Sequence, residues 1–278
     1  MRRAGERPAV RRRAPAARAA AAAAPAERLQ KVLARAGLAS RREAEVWIRA
    51  GRLTINGAPA TLGARVTPLD QVRLDGRLVR AQRPAQAARV FLCHRSPGEP
   101  LRTPGGEVPE GAPLPRPALL ERLPRRAGRR FMSVSPMPRV DGGLELVTSD
   151  GALAERLQRG VHALTSEFSV RVRGELNSAQ LEGILGGALD SGAQVAVQSC
   201  EAAGGEAANR YYALAARGAS GKQVRQLFER QGALVSRVQR THLGPLALER
   251  ALGRGRFREL TQEELAALLS GADAVASG

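Results

Sequence analysis

Apolar positions in the first patterned stretch recur with a helical period. Leu29, Val32, Leu33 and Ala36 stand at i, i+3, i+4 and i+7, which places them on one face. Gly37 supplies the left-handed stop that such a helix needs. Ser40, with Glu43 three residues on, carries a capping-box signature. A second helix is therefore predicted from Arg41 to Gly51, burying Ala44 and Trp47 or Ile48. A strand is predicted over 52–55. Asn56-Gly57 follows, and both residues tolerate the positive φ of a two-residue hairpin turn. A second hairpin is predicted over 71–79, turning at Asp75-Gly76.

The pattern changes after residue 80. Residues 81–88, AQRPAQAA, read as a linker. An apolar strand is predicted over 89–93. Val170 and Val172 alternate with Arg171 and Arg173, as in a half-buried strand. Further on, the spacing predicts a helix over 177–185, a strand over 211–215 and a helix over 222–231. Thr261 with Glu264 caps a final short helix. Strands without regular βα alternation predict an α+β fold with a largely antiparallel core. The expected organisation is an arm over 1–25, a small αα-β domain over 26–80, the linker, a mixed domain over 89–265 and a tail over 266–278.

Charge gives the first domain a purpose. Arg28, Lys31 and Arg35 fall at i, i+3 and i+7 on a second face of the first helix, and Arg41 and Arg42 open the next. A compact cationic surface of this kind suits a phosphate backbone. The whole chain agrees, with 44 basic residues against 26 acidic and a formal net charge of +18. Chains this basic work on nucleic acid. Aromatic residues make up only 3%, which argues against wide base-stacking platforms. Cys93 and Cys200 are isolated and only three histidines are present, so neither metal-ligand spacing nor a disulfide framework can be read. A reduced, cytoplasmic setting is expected. No apolar run reaches membrane-spanning length, so no membrane partner is expected. Residues 1–25 hold seven arginines and an alanine run without leucine or isoleucine. That composition argues against a secretory signal; it admits an organelle transit peptide and favours a disordered basic arm that adds unspecific attraction to RNA.

Two resemblances sharpen this reading. Arg28, Leu29, Lys31, Leu33, Ala34, Gly37, Ser40, Arg41, Arg42, Ala44, Ile48, Gly51, Asn56 and Gly57 follow the pattern RLxKxLAxxGxxSRRxA…I…G…NG. In this the segment resembles the S-four RNA-binding domain. The second domain resembles the ribosomal pseudouridine synthases that carry such a domain at their N-terminus. The matching segments are 94–98, 133–151, 221–228, 235–246 and 258–261, and together the two resemblances span 27–265. They imply an RNA partner, ribosomal RNA above all, and a monomeric enzyme that isomerises uridine to pseudouridine without cofactor or metal. The target base must leave the stack for that chemistry. An aspartate attacks or deprotonates the sugar, a cation holds it ionised, and a ring stacks on the uracil.

Carrying these roles over gives Asp141 as nucleophile, Arg139 beside it, Phe168 in place of the family's stacking tyrosine, and Lys222 as the paired cation. The catalytic segment departs from the family's GRLDxxTSGLLLxTxDG. Its second half is present over 143–151, but a gapless alignment sets Ser135-Pro136-Met137-Pro138 where GRLD should stand. Sliding Arg139-Val140-Asp141 onto RLD keeps a carboxylate and shortens the loop behind it. The residues leave alternatives open. Asp141 before Gly142-Gly143 also reads as a turn residue, Phe168 as a core residue and Lys222 as a surface lysine. Two functional readings follow: an isomerase using Asp141, Arg139, Phe168 and Lys222, or a non-catalytic RNA-binding or ribosome-assembly factor that kept the fold.

Overall fold

The helical stripe read from Leu29 to Ala36 is buried in the computed structural model, with every member at 7% exposure or less. The structure describes residues 25–36, 38–79, 89–102, 118–124, 131–206 and 208–273, without the side chains of 272 and 273. The chain divides into two compact units, the first among the described residues up to 79 and the second from 89 onward. The expected linker and, save Pro25, the expected arm lie outside the described residues, as does Gly37.

Unit one contains β1 (Glu27–Arg28), α1 (Leu29–Arg35), α2 (Arg41–Arg49), β2 (Leu53–Ile55), β3 (Ala58–Pro59), β4 (Arg65–Val66), β5 (Val72–Leu74) and β6 (Arg77–Leu78). The α1 stripe packs on Ala44, Ile48, Leu53 and Val66. Ile48, not Trp47, is the buried member of α2; the Trp47 ring is partly exposed, with the Arg52 guanidinium 5.5 Å from its centre. The Ser40 hydroxyl accepts from the Glu43 N–H and the Glu43 carboxylate accepts from the Ser40 N–H, so the capping box forms. Four strands pair in the order β3-β2-β5-β6, and β1 pairs with β4. Asn56 (φ 52°) and Gly57 (φ 91°) make the first hairpin turn. The Asn56 side chain adds a donation to Asp70 (2.7 Å) and an acceptance from the Gln71 N–H (2.9 Å).

Unit two contains β7 (Val90–Arg95), β8 (Met132–Ser133), β9 (Gly142–Thr148), α3 (Gly151–Val161), β10 (Thr165–Arg173), α4 (Ser178–Leu185), β11 (Ala196–Glu206), β12 (Asn209–Arg217), α5 (Gly221–Arg230), β13 (Leu234–Leu243), β14 (Leu246–Ala247), β15 (Phe257–Glu259) and α6 (Gln262–Asp273). Its sheet runs β11-β12-β10-β13-β9-β7-β15, with β14 on β13 and β8 on β9. Every pairing is antiparallel except β9 with β13. The fold is therefore α+β and largely antiparallel. Phe168, Val170, Val172, Leu214 and Val238 on one sheet face pack against Ile184 of α4 and Val224, Leu227 and Phe228 of α5. In the other half Leu92, Leu144 and Leu146 pack with Leu157 of α3 and Leu268 of α6.

The final helix, α6, runs to Asp273, and its Leu268 is fully buried in the core with Leu157 and Leu164. Helix α3 and strand β11 were not predicted. β11 reads AVQSCEAAGGE and is mostly exposed, so it has no apolar alternation to announce it. Its pairing with β12 defines it.

Candidate functional site

The parallel pairing of β9 with β13 creates the site. Gln239 pairs with Gly142 and Arg240 with Gly143. Glycine is needed at both positions, at 142 for the approach of β7 and at 143 for that of β13. A Cβ on Gly142 would lie 2.5 Å from the Arg95 carbonyl oxygen. One on Gly143, which has φ +97°, would lie 2.3 Å from the Arg240 carbonyl oxygen. Asp141 is thereby delivered to the head of β9 with no exposed surface. Gly142-Gly143 enters β9, and Asp141 closes the 138–141 turn just before it, its N–H donating to the Pro138 carbonyl (3.1 Å), so the turn reading of Asp141 holds together with its burial.

The buried carboxylate is fully partnered. Arg225 of α5 donates Nη2 to Oδ1 (2.6 Å) and Nε to Oδ2 (3.1 Å), and the Val238 N–H donates to Oδ1 (2.8 Å). Arg225 also donates to the Val235 carbonyl (3.0 Å) and to Glu229 (3.2 Å). Burial of a charge is tolerable when it is paired and hydrogen-bonded in this way, and a bidentate guanidinium is the strongest such partner. The hydrogen bond to Asp141 in turn raises the Arg225 pKa above its ordinary value.

This geometry revises the expected cast. The cation on Asp141 is Arg225, not Lys222, which is exposed and makes no ion pair among the described residues. Both sit on α5 three residues apart, but Arg225 lies one turn deeper, level with Val235 and Val238 of β13. Arg139 is exposed, with Nε 3.4 Å from the Gly98 carbonyl, and does not pair with Asp141. Phe168 is 1% exposed and packs in the core with Met137, Val170 and Phe228, so its ring offers no free face here.

A second set of charges, unread in the sequence, is buried across β7, β9 and β13. Arg95 donates Nε to Glu145 (2.9 Å), and Arg240 lies 3.9 Å from the same carboxylate. Burial pushes the Glu145 carboxyl up, against the pull of Arg240 and Arg95, and pushes the Arg240 guanidinium down. Among the described residues no group of three or more His, Cys, Asp or Glu is placed to hold a metal. No helix among them is long and apolar enough to cross a membrane.

In unit one, Arg28, Lys31, Arg35, Arg41 and Arg42 are all exposed. Arg35 is bound to Glu27 at 2.8 Å, which takes up part of its charge. Of the five, Arg28 stands on β1, just before α1, and not on the helix itself.

A basic two-helix module followed by a largely antiparallel sheet with a buried carboxylate–guanidinium pair is consistent with the pseudouridine synthase class. Comparison with known proteins carries this further. The S4 domain family matches residues 27–72. "Ribosomal large subunit pseudouridine synthase B" of Pseudomonas aeruginosa is 39% identical over 240 residues, 86% of this chain and 61% of that one. The proteins of the same name from Salmonella typhimurium and Escherichia coli are each 38% identical over 237 residues, covering 84% of this chain and 79% of theirs. This chain thus spans under two thirds of the Pseudomonas relative. A crystal structure of a pseudouridylate synthase superposes with a TM-score of 0.55 at 20% identity, over 87% of this chain and 99% of that one, a likeness of fold. The chain belongs to the ribosomal RNA pseudouridine synthase family whose members carry an N-terminal S4 domain.

Proposed function

We propose that the chain isomerises uridine to pseudouridine in ribosomal RNA, with Asp141 as nucleophile, Arg225 as its charge partner and the S4 domain as the main RNA anchor. The observation that carries this is the bidentate Asp141–Arg225 pair, which supplies a carboxylate with a fixed cation where Pro138 could supply neither. Oδ1 accepts two hydrogen bonds and Oδ2 only one. A carboxylate oxygen has two lone-pair directions, so Oδ2 keeps one for the sugar carbon. Asp141 is fully buried, so the substrate reaches Oδ2 only when the Pro138–Asp141 turn moves. That turn has its outer side exposed at Arg139 and Val140, the latter at 60%. The names of the relatives point to the large subunit as the substrate, and we extend that to this chain, acting as a cytoplasmic monomer without metal or cofactor.

The test is conversion of large-subunit and small-subunit RNA fragments by the purified chain, with 5-fluorouridine substituted at candidate positions to trap the adduct. Turnover on large-subunit fragments is expected. Neither turnover nor trapping on any ribosomal fragment would sink the isomerase reading and leave an RNA-binding factor.

The anchoring role has its own test. Neutralising Arg28, Lys31, Arg41 and Arg42 together should weaken RNA binding and flatten its salt dependence. Each lost phosphate contact should reduce the log–log slope by roughly 0.7 to 0.9. A quadruple variant with an unchanged slope would remove this face from the interface.

A further inference from the structure

Three charged side chains lie inside unit two without touching the Asp141 carboxylate. Arg95 of β7 and Arg240 of β13 are each 1% exposed, and Glu145 of β9, the strand between them, is fully buried. A buried ion triad is a poor stabiliser, because apolar side chains of similar volume do as well once desolvation is counted. Although Arg95 donates to the Glu99 carbonyl, Arg240 to the Leu144 carbonyl and the Ser133 hydroxyl to Glu145, five of the hydrogen bonds of this one fall on the stretch 135–138. Arg240 donates to the Ser135 hydroxyl (3.0 Å) and carbonyl (2.7 Å). Glu145 accepts from the Met137 N–H (2.8 Å). Arg95 donates to the carbonyls of Met137 (2.7 Å) and Pro138 (2.6 Å). The Pro138 carbonyl also accepts the Asp141 N–H (3.1 Å), which links the triad to the proposed nucleophile.

The stretch 135–138 belongs to no helix or strand. Pro136 and Pro138 lack an N–H, so it cannot build a ladder of its own. Side chains replace the ladder. We propose that Arg95, Glu145 and Arg240 are positioning residues that hold 135–138 so that Asp141 meets Arg225 and Val238 in register. The consequence for rate rests on the isomerase reading; the consequence for the geometry of the turn does not. A misplacement of about 1 Å at a reacting group costs on the order of 100-fold in rate.

Two variants of the full chain test this: Arg95→Met/Glu145→Leu/Arg240→Met, which replaces the triad by apolar volume, and Glu145→Gln, which keeps shape and removes charge. The triple variant should melt close to wild type, with KM for the RNA fragment unchanged and kcat lowered about 10- to 100-fold. Amide hydrogen exchange at Met137 and Asp141 should quicken by about tenfold or more, while Leu92 and Val170 stay protected. Glu145→Gln strands two buried guanidinium groups, so it should melt below wild type, with exchange again quickened at Met137 and Asp141 more than at Leu92 and Val170; it carries the test if the triple variant does not fold. Wild-type exchange at Met137 and Asp141 in the folded variants would overturn the proposal. So would exchange that rises equally throughout the unit, which marks a general core element. Unchanged kcat in an active chain would overturn it too. If wild type shows no turnover, the isomerase reading falls alone and the exchange measurement still decides for or against the positioning role.

Discussion

Asp141→Asn is expected to abolish conversion of uridine, by at least about 10⁴-fold in kcat, the scale on which loss of an attacking group is felt. The amide keeps the shape of the carboxylate and can still accept the Val238 N–H that now meets Oδ1. It cannot supply the charge or the nucleophilic oxygen. RNA affinity should stay within about twofold, because the cationic face of unit one is untouched and phosphate contacts dominate affinity. Conversion and adduct trapping by the variant, measured beside filter binding on the same fragment, separate chemistry from binding. A variant that still converts the fragment would mean that another group attacks.

Arg225→Met should have the largest effect on stability. The Asp141 side chain is 0% exposed and that of Arg225 18%, so removing the guanidinium leaves a buried carboxylate with only the Val238 N–H. Breaking a buried pair from one side costs roughly 3–5 kcal/mol. In a unit of this size that is a fall in Tm on the order of 10 °C. The double variant Asp141→Asn/Arg225→Met should recover part of the loss, because no charge is then stranded. Lys222→Met, at an exposed position of the same helix, should change stability by less than about 0.5 kcal/mol. Equal losses in Arg225→Met and Lys222→Met would contradict the pairing seen here.

These contrasts show what local pattern could and could not reveal. The α1 stripe, the Ser40–Glu43 box and the Asn56-Gly57 turn were legible because each depends on residues within a few positions of one another. The α5 helix was legible from its own spacing, and the structure adds a Ser220–Gln223 capping box at its start. Lys222 and Arg225 looked alike in that helix because both are cations three residues apart on neighbouring faces. Only the docking of α5 beside β13 gives Arg225 the reach to Asp141. Strand β11 escaped notice because its small and exposed residues carry no period, and its pairing with β12 is set by a partner strand.

The sequence by itself determined the module order, the cationic face and the presence of a carboxylate at 141, because composition, capping and hairpin chemistry act over a few residues. The tertiary structure decided what that carboxylate does. The β9–β13 pairing joins segments 97 residues apart, so that Asp141 and Val238 share a hydrogen bond. Glycine at 143 lets β9 and β13 close to that distance, and glycine at 142 does the same toward Arg95 of β7. The buried Arg95, Glu145 and Arg240 then meet around a turn without regular structure. Burial of charge is a property of the assembled interior, where desolvation must be offset by partners brought from other strands and helices.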